Sequence, residues 1–129
     1  MRGWILMGMG FLACGMARGA EIHVSPAGSD EAPGSVREPV LTLEKARLLA
    51  REARRLHPAE PVSVLLHPGT HRVMRTVAFR AEDSGTREAP LSLSAWRGPS
   101  APPETRPVLA GGMPVTGWKA CTFNGRAGV

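Results

Sequence analysis

Residues 22–47 read IHVSPAGSDEAPGSVREPVLTLEKAR. Ile22-His23-Val24 is a minimal apolar strand, and Pro26 ends it because proline has no N–H to give to a ladder. Ala27 to Asp30 then make a turn in which Gly28 can take positive φ and Asp30 can bond back to nearby backbone. Pro33-Gly34 makes a second turn, and Pro39 leads to Thr42, a fair helix N-cap. Beyond it Leu43, Ala46, Leu49, Ala50, Ala53 and Leu56 recur at spacings of three and four, which lays one apolar stripe along a helix. His57-Pro58 ends that helix, since a residue before proline is pushed out of the α region. Strand, turn, turn and helix is the expected order. The small Ala side chains in the stripe predict close packing against a β layer.

Downstream the pattern turns to short strands. Val62 to Leu66 is the clearest, β-branched and apolar between Pro61 and Pro68-Gly69. Thr70 to Val73 and Thr76 to Arg80 follow, the second alternating Val77 and Phe79 with Ala78 and Arg80. Leu91 to Trp96 alternates so that Leu91, Leu93 and Ala95 share a face. After a Pro-rich loop, Val108 to Ala110 and Val115 to Trp118 are the last strands expected. Starts near 62, 76, 91 and 108 are spaced by roughly 14 to 17 residues, which reads as successive short strands joined by turns. An ordinary sandwich also fits that spacing.

Composition sets the class. At 129 residues, 43% hydrophobic and 21% charged, the chain has the balance of one globular domain. Fifteen Gly and twelve Pro demand many turns. Large aromatic side chains are few, and the segment after the leader is short of core for an isolated domain. The first residues, MRGWILMGMGFLACGMARG, join one positive charge to an uncharged apolar run and then small residues, the form of a secretory signal. Cleavage fits after Ala17 or after Gly19, and FLAC offers a third reading, a lipobox with Cys14 acylated and retained as a membrane anchor. The expected localisation is export: secreted, periplasmic or on the cell surface. Removal of the leader leaves Cys121 alone, so no internal disulfide can form in the remainder.

The formal net charge of +5 shrinks when Arg2 and Arg18 leave with the leader. The remaining excess sits on the helix, where Lys45, Arg47, Arg51, Arg54 and Arg55 face Glu44 and Glu52. A basic helix can meet nucleic acid, but a solvated outer face explains it with less, and no aromatic stacking platform or groove-reading helix accompanies it. Nucleic acid is not an expected partner.

Each cluster with chemical potential has a plainer explanation. Asp30 and Glu31 are too few carboxylates for calcium, which takes six to eight oxygens. His67 and His71 would share a face on a helix, but Pro68 and Gly69 exclude one, which leaves a turn rather than a metal pair. Glu82 and Asp83 adjoin in a Gly-bearing turn, whereas glycosidase carboxylates face one another from separate elements. Ser84 lacks a nucleophile elbow. No catalytic, cofactor-binding or metal-ligating residue is assigned.

The ordered set VSPAGSD, PG, EP, TLEKAR, VSVLLHPGTHR, EDSGTREAPLSLSA, RPVLAGG and VTGWK resembles the N-terminal region of secreted right-handed parallel β-helix proteins. These are the pectate-lyase-like group, and the pieces are most similar to glycoside hydrolase family 141-like proteins. The likeness runs from Ile22 to Lys119. It implies a mainly β fold, the start of a right-handed parallel β-helix with one N-terminal capping α-helix (about 42–57) over its first coils. The implied organisation is a signal peptide over 1–19, cap and first coils over 20–119, and an atypical or truncated tail over 120–129. The family commonly carries an aromatic where His23 and His71 stand, and Ser100 to Thr105 is an insertion relative to it. By the same resemblance the chemistry, glycosidase or polysaccharide lyase, belongs to later coils beyond Val129, and this segment alone is noncatalytic. Polysaccharide would bind in that downstream groove, calcium would be held only there, and the full-length protein would be a monomer. Membrane contact would come only through an acylated Cys14. A noncatalytic cell-surface or carbohydrate-binding β-helix protein is the alternative.

Overall fold

The structure is a computed structural model that describes residues 19–98, 105–123 and 125–127. The leader reading, with Cys14 and the Ala17 site, and most of the Ser100 to Thr105 insertion lie outside those residues. Among the described residues no helix is long and apolar enough to cross a membrane.

Strand β1 (Ala20–Val24) is followed by the two expected turns, helix α1 (Leu43–Leu56), β2 (Val62–Leu66) and β3 (Gly69–Arg72). A single 3-10 turn spans Ala81–Asp83, and β4 (Leu91–Ala95), β5 (Pro107–Ala110), β6 (Thr122–Phe123) and β7 (Arg126–Ala127) complete the order. The chain is mainly β, with short strands in parallel sheets and one helix.

Three strands, β1, β2 and β4, lie side by side in that order, all parallel. Ala20, Val62 and Leu91 stand in register, as do Ile22, Val64 and Leu93, and Val24, Leu66 and Ala95. Period-2 alternation therefore builds one continuous apolar face from three separate stretches of sequence. A second parallel pair, β3 with β5, aligns Gly69 with Pro107 and Arg72 with Ala110. β2 thus bends directly into β3, and β4 and β5 pair with these two strands in parallel register.

The helix forms where the stripe predicts it. Thr42 accepts the Lys45 N–H at 3.2 Å, and the His57 N–H closes the other end on Ala53 O at 2.8 Å. Ala46 and Ala50 are buried with Leu43 against Ile22, Val24, Val40, Val62, Val64 and Leu66, while Leu49 and Ala53 pack at the margin. Leu56, the last residue of the expected stripe, is exposed.

Asp30 does not bond back locally. Its Oδ1 accepts the Leu41 and Thr42 N–H groups and its Oδ2 accepts the Thr42 hydroxyl at 2.8 Å, so it ties the first turn to the helix start. Burial alone would raise its carboxyl, but these bonds, led by the Thr42 hydroxyl, hold it below the usual range. Gly34 is buried at φ +84°, and a Cβ there would press on Leu49 and Ile22 side chains; its conformation and its space both favour glycine.

Two expected strands are absent. Residues 76–80 and 115–118 run without ladder partners. Alternation over Thr76 to Arg80 reflects packing of Val77 against the core margin, with no neighbouring strand to convert it into a sheet. Strand starts consequently lie at 62, 69, 91 and 107, and the even spacing gives way to two parallel pairs, β2 with β4 and β3 with β5.

Candidate functional site

Two constellations of polar side chains are built by the fold, and neither is contiguous in sequence. The first sits at the corner where the three-stranded sheet bends into the second. His67 N–H donates to Val24 O at 2.8 Å and Trp96 N–H to Leu66 O at 2.7 Å, which carries the parallel ladder one step past the strand ends. The step sets His67 and Trp96 one above the other with ring centroids 4.2 Å apart and planes 13° from parallel. His23, projecting from β1, meets both rings edge-on. Its Nδ1 lies 3.0 Å from His67 Nε2, and its Nε2 faces Glu21 at 3.9 Å. His71 Nε2 donates to His67 O at 2.8 Å, and its Nδ1 is buried without a hydrogen-bond partner.

Burial depresses the basicity of His23, which the Glu21 carboxylate partly restores. Burial also lowers His67, and the charges of His23 and His71 push it the same way. His23 Nδ1 and His67 Nε2 pair with one another, and His71 Nε2 pairs with backbone. Among the described residues no group of three or more His, Cys, Asp or Glu side chains could hold a metal. His67 and His71 are in fact brought together, but as a turn, with one ring anchored to the other residue's carbonyl.

The second constellation corrects the reading of the basic helix as a solvated face at Arg47 and Arg51, while Arg55 remains exposed beside Glu52. Asp83, at the end of the 3-10 turn, is 2% exposed and draws in two guanidiniums of α1. Arg51 approaches at 2.8 Å and Arg47 at 3.2 Å, and the Arg80 N–H adds a third bond at 2.9 Å. Burial would raise the Asp83 carboxyl, but the Arg80 N–H and the Arg51 and Arg47 bonds outweigh it and hold it below the usual range. A carboxylate so occupied neither gives nor takes a proton near neutral pH. Glu82 turns outward, so the adjacent pair diverges, as expected of a turn. It shares a cleft of about 270 Å³ with Glu44, Arg47, Arg51, Thr76 and Arg80. Signs are mixed in this cleft, which selects for no single charge on a ligand.

Sequence reasoning missed the Asp83 contact and the aromatic corner. Asp83 lies 32 residues from Arg51 and His23 lies 44 from His67. A signal existed in the register alone: aligning β2 with β4 puts His67 opposite Trp96.

No family model matches the chain, and a search of curated proteins found no match. Among solved structures the chain is similar to one described as "Glycoside hydrolase", with 32% identity and a TM-score of 0.68 over 83% of this chain. It also aligns with a rhamnogalacturonan lyase, at 23% identity and TM-score 0.48 over 70% of this chain and 22% of that one. A complex of XylC with xylose aligns at 25% identity and TM-score 0.45, covering 60% of this chain and 10% of that one. The chain spans about a fifth of the glycoside hydrolase's length, 19%.

Proposed function

We propose that residues 20–119 are the cap and first coils of a right-handed parallel β-helix in an exported, carbohydrate-active protein of glycoside hydrolase or polysaccharide lyase type. The segment itself is noncatalytic: it closes one end of the fold and offers the first rungs on which later coils, and a polysaccharide groove, are built. The observation that carries this reading is the in-register pairing of β4 and β5 with β2 and β3, covered at one end by α1. A solenoid needs such a cover, because its terminal rung otherwise leaves core and strand edge in water. Likeness to a glycoside hydrolase at 32% identity supports the carbohydrate-active half. The two acidic positions of the 3-10 turn, one tied to arginines and one turned outward, fit a noncatalytic cap.

The test is an exchange. Replacing the matching segment of that glycoside hydrolase with residues 20–119 of this chain should yield a soluble chimera that still hydrolyses the parent's substrate. A chimera that unfolds or precipitates, beside a soluble parent, would count against the cap reading. Reading the coding sequence past Val129 then separates the chemistries. Facing Asp or Glu on successive coils indicate a hydrolase, and Lys or Arg beside acidic calcium ligands a lyase. With neither, the protein is a noncatalytic binder. N-terminal sequencing of the exported product, expected to begin after Ala17 or Gly19, checks the leader; a lipid-modified Cys14 at the mature N-terminus would replace that reading.

A further inference from the structure

The imidazole corner has no part in the proposed cap function, yet it joins all three strands of the larger sheet. His23 belongs to β1, His67 follows β2 and Trp96 follows β4. His23 is paired within the ladder opposite Leu65, whereas His67 and Trp96 sit one step past the ends of β2 and β4, and from His67 the chain bends into β3. His23 is 4% exposed. We infer that His23, His67 and Trp96 form an acid-labile clip, closed at neutral pH and opened by protonation, that controls whether the corner between the two sheets stays docked.

The argument is one of counting protons. His23 Nδ1 and His67 Nε2 stand 3.0 Å apart, a distance that requires one N–H between them and one lone pair to receive it. Glu21 faces His23 Nε2 at 3.9 Å, which favours a proton there. His23 Nδ1 is then the acceptor and His67 Nε2–H the donor. One proton from solvent can add at His67 Nδ1 and leave the shared bond intact. A second must add at His23 Nδ1, where it sets N–H against N–H and one cation against another. The bond is lost, and two imidazolium rings are driven apart in a site that burial already makes unfavourable for charge.

The charged and titratable groups that face this pair are Glu21 from β1 and His71 from β3. Glu21 helps His23 carry one charge. His71 opposes charge on His67, and its Nε2 remains committed to His67 O. Neither supplies a second counter-charge. As His67 swings out, Trp96 loses the ring beneath it, and the two rungs that prolong the ladder, His67 N–H to Val24 O and Trp96 N–H to Leu66 O, lose their support.

The sign follows from burial. A buried histidine binds protons less readily folded than unfolded, so the unfolded or undocked corner takes up more protons. The corner is fully stable above the ordinary imidazole value of about 6.5 and is weakened progressively below it. Hydrogen exchange of the full chain, corrected for the intrinsic pH dependence of exchange, tests this. Between pH 7 and pH 5 the protection of the His67 and Trp96 amides should fall roughly tenfold, equivalent to about one pKa unit of linkage. The Val64 amide, inside β2, should hold its protection. His67→Phe keeps a ring under Trp96 but no titratable nitrogen there, and it should reduce the pH dependence to what buried His23 alone confers. If that variant does not fold, His23→Gln carries the same comparison. A wild-type corner whose protection is unchanged at pH 5 overturns the clip, and so does an equal loss in wild type and the folded variant.

Discussion

The two ends of the strand stack are made from the same alternation of residues and meet water very differently. At the helix end, Ile22 and Val64 occupy one register level and are nearly inaccessible; Leu93, the next member of that level, is 47% exposed. Beside it Phe79 is half exposed, and together with Val64 and Leu91 the two line an apolar hollow of about 280 Å³. On the second sheet Val108 and Leu109 are exposed by half as well. The difference lies in what covers the rung. Helix α1 lies across β1 and β2 and brings Ala46 and Ala50 close to the sheet, while nothing among the described residues pairs with the outer edge of β4 or β5. Burial in a stacked fold is conferred by the neighbouring layer, and an apolar strand acquires a core only when the next layer arrives.

Removing the device that ties the covered end to the next rung should have the largest effect. Asp83→Ala takes away the carboxylate that Arg47 and Arg51 share, leaving two half-buried guanidiniums without a partner, and should cost about 3 kcal/mol in urea unfolding. The same contact gives an acid limb. Because the Asp83 carboxyl is held below its ordinary range, its contribution is complete above about pH 3.9 and is lost as pH falls through the lower folded value. Wild type should therefore lose more stability than Asp83→Asn over that interval, and parallel acid titrations would contradict this.

The comparison itself is sharpened by truncating two residues at one register level. Val64→Ala should destabilise by about 2 kcal/mol, since it opens a cavity under the helix. Leu93→Ala should cost well under about 1 kcal/mol, because its site is already open to water. Equal losses at both positions would mean that the stack is covered at both ends. Thr42→Ala, which deletes the cap and the hydroxyl bonded to Asp30, should lower stability by about 1 kcal/mol with helix content otherwise retained by circular dichroism. The smallest effect belongs to Leu93→Ser, near zero in stability, whose readout is a reduced tendency of the open edge to self-associate in sedimentation velocity.

What could be read without the fold was whatever is local. The strand at Val62 to Leu66, the helix with Thr42 and His57 at its ends, and the shared face of Leu91, Leu93 and Ala95 follow from period, capping chemistry and proline geometry within a few residues. Thr76 to Arg80 has the same alternation and forms no strand, since a ladder needs a partner that local pattern does not specify. Helix arginines read as solvated because their partner, Asp83, is more than thirty residues away in the chain.

The sequence by itself determined where the chain goes straight, turns and coils, because those choices are made by φ, ψ and side-chain period over one or two turns of backbone. Which apolar residues become core, which arginines become buried counter-ions, and that His23, His67 and Trp96 share one corner were decided by the parallel register. Register is set by the simultaneous burial of a whole face across strands whose partners lie roughly 29 to 42 residues apart, and no short window of sequence contains that sum.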